Sequence, residues 1–146
     1  MKHVGIICEY NPFHGGHAHL LRSVREAQTV ICLMSGNFTQ RGEAAILPPR
    51  SRAAMALAAG ADLVLELPFP YAAGSARYFA SAGVRALQAL GADTLAFGSE
   101  NRRLRIEGTA LKSRERLWGA EQSIMLRLEL LLIELVRENS PTLSII

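Results

Sequence analysis

From Val4 to Phe97, four short apolar runs alternate with stretches that repeat at helical spacing or are rich in alanine. Val4 to Cys8 is apolar and stops short of the turn signal Asn11-Pro12, beyond which Leu20, Leu21 and Val24 recur at helical spacing within Ala18 to Ala27. That pattern predicts strand, loop and helix. Thr29 to Met34 is a second strand of buried type and runs into the polar, glycine-containing stretch Ser35 to Gly42. Pro48-Pro49 then precedes an alanine-rich helix over Arg50 to Ala59, and Gly60 fits a left-handed position just past its end. Asp62 to Leu67 is a third strand, broken by Pro68 and Pro70. A helix over Ser75 to Leu90 follows, Gly91 repeats the helix-ending role, and Thr94 to Phe97 is the fourth strand. Gly60-Ala61-Asp62-Leu63 and Gly91-Ala92-Asp93-Thr94 are equivalent junctions, so Asp62 and Asp93 read as turn and strand-opening residues, not catalytic acids.

Strands that alternate with helices and are nearly continuous in apolar residues predict an α/β Rossmann-like fold, a parallel sheet with helices on both faces. Ligands of such folds bind beyond the carboxyl ends of the strands, where strand order switches. The polar stretches Glu9 to His17, Ser35 to Glu43, Pro68 to Gly74 and Gly98 to Glu100 should therefore converge on one rim. Taken singly, each glycine or proline there is explained by turn chemistry and Arg41 by solvation. Their joint position favours function.

The pattern changes after Glu100. Asn101 to Lys112 is polar and basic, with Arg102, Arg103 and Arg105 close together, and reads as a solvated connector. From Ser113 to Arg137 the spacing is helical, with Ile124, Met125, Leu128, Leu131, Leu132 and Leu135 forming a stripe. Arg127, Glu129 and Glu134 make the run too short and too charged to span a bilayer, so no membrane partner is expected. Leu130 and Ile133 lie off the stripe. The helix should bury that surplus on the sheet, on a second copy in self-association, or on something outside the chain, and Ser140-Pro141 ends it.

Composition adds limits. The 146 residues, 49% hydrophobic and 20% charged, suit one modest globular domain. A net charge of +3 and an isoelectric point near 9.2 permit contact with nucleic acid without demanding it. A secretory signal is not expected, because Glu9 breaks the apolar run after Lys2, and this places the chain in the cytoplasm. Cys8 and Cys32 both fall in strands and read as buried free thiols.

Candidate chemistry concentrates in Gly5-Ile6-Ile7-Cys8-Glu9-Tyr10-Asn11-Pro12-Phe13-His14-Gly15-Gly16-His17. A glycine at a helix start lets a ligand approach the main chain, and the free N–H groups of a first turn favour an anion. Two imidazoles beside them could add donors and, when protonated, positive charge. Local chemistry leaves three readings open: a phosphate cradle, a solvated polar loop, and a metal site with Cys8 or His19. No second pair of Cys or His accompanies His14 and His17, so no structural zinc is expected.

His14-Gly15-Gly16-His17 after a first strand resembles the His-x-Gly-His signature of the nucleotidyltransferase superfamily. With Met34-Ser35-Gly36-Asn37-Phe38-Thr39-Gln40-Arg41-Gly42-Glu43, Asp62 to Pro68 and Phe97-Gly98-Ser99-Glu100, the order and spacing are similar to those of bacterial tRNA(Met) cytidine acetate ligases, over roughly Met1 to Glu100. Gly15 fills the variable position of the signature, where that family is expected to carry asparagine. The resemblance implies an ATP-binding nucleotidyltransferase-like part at 1–100 and a divergent connector and amphipathic helix at 101–146. It implies that ATP and acetate give acetyl-adenylate and pyrophosphate, and that N4 of the wobble cytidine of elongator tRNA(Met) takes the acetyl group. The nucleotide-binding role then falls on Ile7, Cys8, Glu9, Tyr10, Asn11, Pro12, Phe13, His14, Gly15, Gly16, His17, Ala18, His19 and Leu20, and on Gly98, with His14 and His17 as the catalytic phosphate contacts. Mg²⁺ is the expected companion of ATP, with no carboxylate assignable to it. A Ser/Thr-rich turn ending in Arg, the superfamily's later signature, has no copy after Glu100, so this chain alone is expected to bind ATP but turn over poorly. Other classes are a small-molecule adenylyl- or cytidylyltransferase and a non-catalytic nucleotide-binding module.

Overall fold

The apolar runs form one parallel sheet in the computed structural model, which describes residues 2–98 and 144–145. In chain order the elements are β1 (His3–Cys8), α1 (Gly15–Ser23), β2 (Thr29–Ser35), α2 (Pro49–Ala58), β3 (Leu63–Leu67), α3 (Ala76–Ala89), β4 (Thr94–Leu95) and β5 (Ser144–Ile145). The strands lie in the order β3-β2-β1-β4-β5. β1 and β2 pair from His3 opposite Thr29 to Cys8 opposite Met34, and β2 and β3 from Ile31 opposite Leu63 to Ser35 opposite Leu67. The chain thus steps outward from β1 through β2 to β3, then returns to place β4 on the other side of β1. Strand order switches between β1 and β4, where α/β folds of this kind open a crevice for ligands.

Alternation along the strands sorts the core into two layers. Val4, Ile6 and Cys8 of β1 and Val30, Cys32 and Met34 of β2 pack with Leu21 of α1 and Ala56 of α2. Ile31 and Leu33 of β2 and Leu95 of β4 pack on the opposite face with Phe79, Ala80, Val84 and Leu87 of α3. A strand covered on both faces must be apolar throughout, which is why β2 reads as a continuous run. The α3 layer sits very close to β1. A Cβ added at Gly5 would lie 2.7 Å from Leu87, and one at Gly83 would lie 2.5 Å from Ile7.

Both junction glycines have the expected backbone. Gly60 has φ 112° and Gly91 φ 85°. Each helix end carries the paired bonds of a Schellman turn, Ala61 N–H to Ala56 O at 3.0 Å with Gly60 N–H to Leu57 O at 3.1 Å, and Ala92 N–H to Leu87 O at 3.0 Å with Gly91 N–H to Gln88 O at 2.9 Å. Asp62 then accepts from Val30 N–H at 2.7 Å, and Asp93 from Lys2 N–H at 3.0 Å. The two carboxylates fasten the amino edge of the sheet, as their reading as turn and strand-opening residues requires.

The fourth strand, expected over Thr94 to Phe97, spans Thr94–Leu95, and two further elements differ from expectation. α1 occupies Gly15–Ser23 instead of continuing to Ala27, because the chain must turn back early enough for Thr29 N–H to reach Lys2 O at 3.1 Å and start β2. β5 was not expected; its backbone pairs in parallel with β4. Ser99 and Glu100, the basic connector, the Ile124 to Leu135 stripe and the self-association drawn from it lie outside the described residues. No helix among the described residues is long and apolar enough to cross a membrane.

Candidate functional site

Where β1 leaves the sheet, Tyr10 takes a φ of 50°, a left-handed conformation that costs a bulky residue about 1–3 kcal/mol. Packing holds it there. The ring is 1% exposed, its hydroxyl lies 3.2 Å from Cys32 Sγ, and burial pushes its phenol pKa far up, so it stays protonated. It makes T-shaped contacts with the rings of Phe13 and His17, at 5.0 and 4.9 Å between centroids. Burial likewise pushes the Cys8 thiol up, and Cys8 Sγ donates to Leu33 O at 3.6 Å. Cys8 is therefore neither a ready nucleophile nor a thiolate ligand.

The loop ends in the two histidines, which cap α1 for each other. His14 is the N-cap residue; its Nδ1 accepts from Gly16 N–H at 3.1 Å, and His17 Nδ1 accepts from His14 N–H at 3.2 Å. This is a capping box in which imidazoles replace the usual hydroxyl and carboxylate. An Nδ1 that accepts carries no proton, so each neutral imidazole keeps its hydrogen on Nε2. The rings stack at 3.7 Å. Burial, then the charge of His14, pulls the His17 pKa down to about 4, so His17 is neutral at neutral pH. The site therefore offers N–H donors, not the paired positive charge considered from sequence. Together with the first-turn N–H that the cap leaves unused they can hold an anion.

The glycines of the signature have separate reasons. A Cβ at Gly15 meets nothing within 4 Å, which explains how the x position tolerates other residues. At Gly16 a Cβ would fall 3.0 Å from His14 Cε1 and 3.2 Å from its Nδ1. The tight approach at Gly16 is made by the His14 ring itself, which would have to give by a few tenths of an ångström to admit a Cβ.

Hydrogen bonds gather the expected loops onto one rim. Glu9 Oε1 accepts from Gln40 N–H, and Gln40 Nε2 donates to Gly74 O at 2.8 Å, which links the ends of β1, β2 and β3. Asn11 Oδ1 accepts from Ile46 N–H at 2.7 Å. Gly98 follows β4 beside β1 and is exposed. His19 and Pro12 are exposed, Ile7, Asn11, Phe13, Ala18 and Leu20 are half-buried, and Arg41 and Glu43 are exposed at the hairpin tip where Gly42 has φ 79°. Among the described residues no three His, Cys, Asp or Glu side chains group as a metal site would need, and Cys8 does not join the histidines. Ser35 Oγ and Thr39 Oγ1 are buried under the rim without a hydrogen-bond partner.

The residue that binds the rim together was not singled out from sequence. Arg52 is 0% exposed, and its guanidinium donates to Glu9 O, Gly36 O and, at 3.0 Å from Nε, Leu47 O. Burial draws its pKa below the usual value, with Glu9 and Glu66 nearby acting against the shift. The signal was its i, i+4 relation to Ala56, the other buried residue of α2.

Comparison with known proteins identifies the family and the fold. The tRNA(Met) cytidine acetate ligase of Syntrophotalea carbinolica is 55% identical over 104 residues, 69% of this chain and 25% of that protein, and the one from Anoxybacillus flavithermus is 53% identical over 104 residues, 69% and 26%. The chain spans about a quarter of the length of these relatives. A crystal structure of Thermotoga maritima TmcAL bound with alpha-thio ATP is similar with a TM-score of 0.65 and 47% identity over 68% of this chain and 25% of that one. Thermus thermophilus pantothenate synthetase shares the fold alone, with a TM-score of 0.56 and 18% identity over 98% of this chain and 54% of that one. A family model for HIGH nucleotidyl transferases matches residues 1–122, and the chain belongs to that family.

Proposed function

We propose that residues 1–100 are the ATP-binding part of an acetate ligase acting on elongator tRNA(Met), with 101–146 as a divergent basic connector and amphipathic helix. The observation that carries this reading is the pair of Nε2–H donors held over the start of α1, at the β1/β4 switch point. His14 and His17 donate to the phosphates of ATP, the first-turn amides add donors, and Ile7 to Leu20 with Gly98 form the walls of the nucleotide site. An acetate oxygen attacks the α-phosphorus and pyrophosphate leaves; N4 of the wobble cytidine then attacks the acyl carbon and AMP leaves. No covalent bond to the protein forms. Catalysis comes from positioning and from donors already aimed at the developing phosphate charge. Magnesium has no ready-made cluster among the described residues and would arrive on the phosphates of ATP, its usual habit. A cytoplasmic location follows from this reading.

The test pairs thermal stabilisation by ATP, CTP and GTP with acetate-dependent exchange of labelled pyrophosphate into ATP. Selective stabilisation by ATP is expected, with an exchange that requires acetate but is slow in this chain alone. Stabilisation by CTP instead, or exchange driven by another acid, would move the chain to small-molecule nucleotidyl transfer. ATP binding with no exchange under any acid would leave a binding module.

A further inference from the structure

Four of the eight phenylalanines and tyrosines lie outside the core, and all four belong to one part of the molecule. Phe38 is 45% exposed, Phe69 66%, Tyr71 42% and Tyr78 48%. Phe38 sits in the hairpin after β2, Phe69 and Tyr71 in the loop after β3, and Tyr78 in the first turn of α3. The Gln40–Gly74 hydrogen bond draws these loops together at the carboxyl rim. The rings are paired, Phe38 with Phe69 at 5.8 Å and Tyr71 with Tyr78 at 5.3 Å, the latter stacked at 21°. A Cβ at Gly74 would fall 2.7 Å from Tyr78 Cδ1, so the tyrosine lies directly against the loop. Large aromatic side chains left in water as a group mark a binding surface.

The chemistry of the surface narrows its occupant. Ile46 is the one aliphatic among the large exposed side chains of loops 36–47 and 68–75, so the apolar surface there is almost wholly aromatic. Arg41 is exposed on the first of these loops, and Arg50 and Arg77 in the first turns of the helices that follow the two loops, with Glu43 and Glu66 also exposed. Aromatic faces with arginines around them are what unpaired nucleobases stack on. The proposed reaction supplies the reason: the exocyclic amine of a base must reach the acyl-adenylate at the same rim, and a base leaving its stack needs a new one.

We propose that Phe38, Phe69, Tyr71 and Tyr78 form a stacking platform for unpaired bases of an RNA. The proposal rests on the acetyl-transfer reading for its partner, and on the exposed ring pairs for its place. The experiment measures anisotropy of a short labelled single-stranded RNA, and of the same strand annealed to its complement, with the parent, the Phe69→Ala/Tyr71→Ala variant and Phe69→Trp. Calorimetry with ATP is run on the same samples.

The parent is expected to hold the single strand more tightly than the duplex. The double variant should lose about fivefold or more, since stacking on one aromatic is worth about 5- to 150-fold per base. Phe69→Trp should keep binding, and ATP affinity should be equal in all three. Equal binding of single strand and duplex by the parent, or an unchanged affinity in the double variant, overturns the platform. Unchanged RNA binding with a shift in sedimentation would overturn it in favour of an interface between copies. A parent that fails to bind ATP counts against the functional reading, while the RNA comparison still decides the platform.

Discussion

His14 and His17 each hold the other's end of the first turn: the Nδ1 of His17 accepts the main-chain N–H of His14, while the Nδ1 of His14 accepts that of Gly16. The pairing sets the tautomer of both rings before any ligand arrives. Nitrogen-detected NMR at slightly alkaline pH should find both protons on Nε2. A proton on Nδ1 of either ring would break the cap and remove that ring as an outward donor.

Acid should loosen this arrangement. The His17 pKa of about 4 lies below the ordinary 6.5, so the folded chain favours the neutral ring. The unfolded chain then binds the extra proton first, and stability falls as pH drops from about 6.5 towards 4. The helix start also disfavours a cation. Melting temperatures of the parent and of His17→Gln across that range should converge at the acid end. Parallel curves would remove His17 as the titrating group.

Gly16→Val puts a branched side chain where His14 Cε1 lies 3.0 Å from the added Cβ, so the ring must leave its cap. ATP binding should weaken by about 10- to 150-fold, the equivalent of one charge-assisted hydrogen bond at 1.5–3 kcal/mol. His3→Ala, at the opposite end of β1, should leave the affinity unchanged. Equal affinities by calorimetry would dissociate the cap from nucleotide binding.

Arg52→Met should cost at least about 3 kcal/mol, because three main-chain carbonyls would lose a charged donor, each bond worth about 1.5–3 kcal/mol with incomplete additivity. Arg52→Lys should restore less than half of the loss, since an ammonium cannot reproduce the planar fork. Urea unfolding measures both. A stable Arg52→Met protein would mean that water replaces the guanidinium at the rim.

What could be read from sequence follows the strength of each local signal. β2 was legible because burial on both faces makes a strand continuously apolar, and the ends of α2 and α3 because Gly60 and Gly91 take a backbone that other residues adopt at a cost. The fold family and the histidine signature were readable from motif spacing. The mutual cap was not, because imidazoles are not the usual capping side chains and their tautomers depend on geometry. Arg52 was hidden for the same kind of reason: an arginine in an alanine-rich helix reads as solvated, and two of its three acceptors, Glu9 O and Gly36 O, come from the distant ends of β1 and β2. β5 spans two residues, too few for any periodicity.

The paired Asp62 and Asp93 fastenings have a practical consequence for redesign. They set the alignment of the strands at the edge farthest from the histidines, using the main chain of the neighbouring strand and nothing from the rim loops. Segments such as Asn37 to Leu47 or Pro68 to Gly74, which lie outside the strands, should therefore be exchangeable between relatives without loosening strand alignment, provided that the carbonyls that meet Arg52 and Gln40 are kept. Redesign in this fold is a matter of grafting at one edge, with the other left as it is.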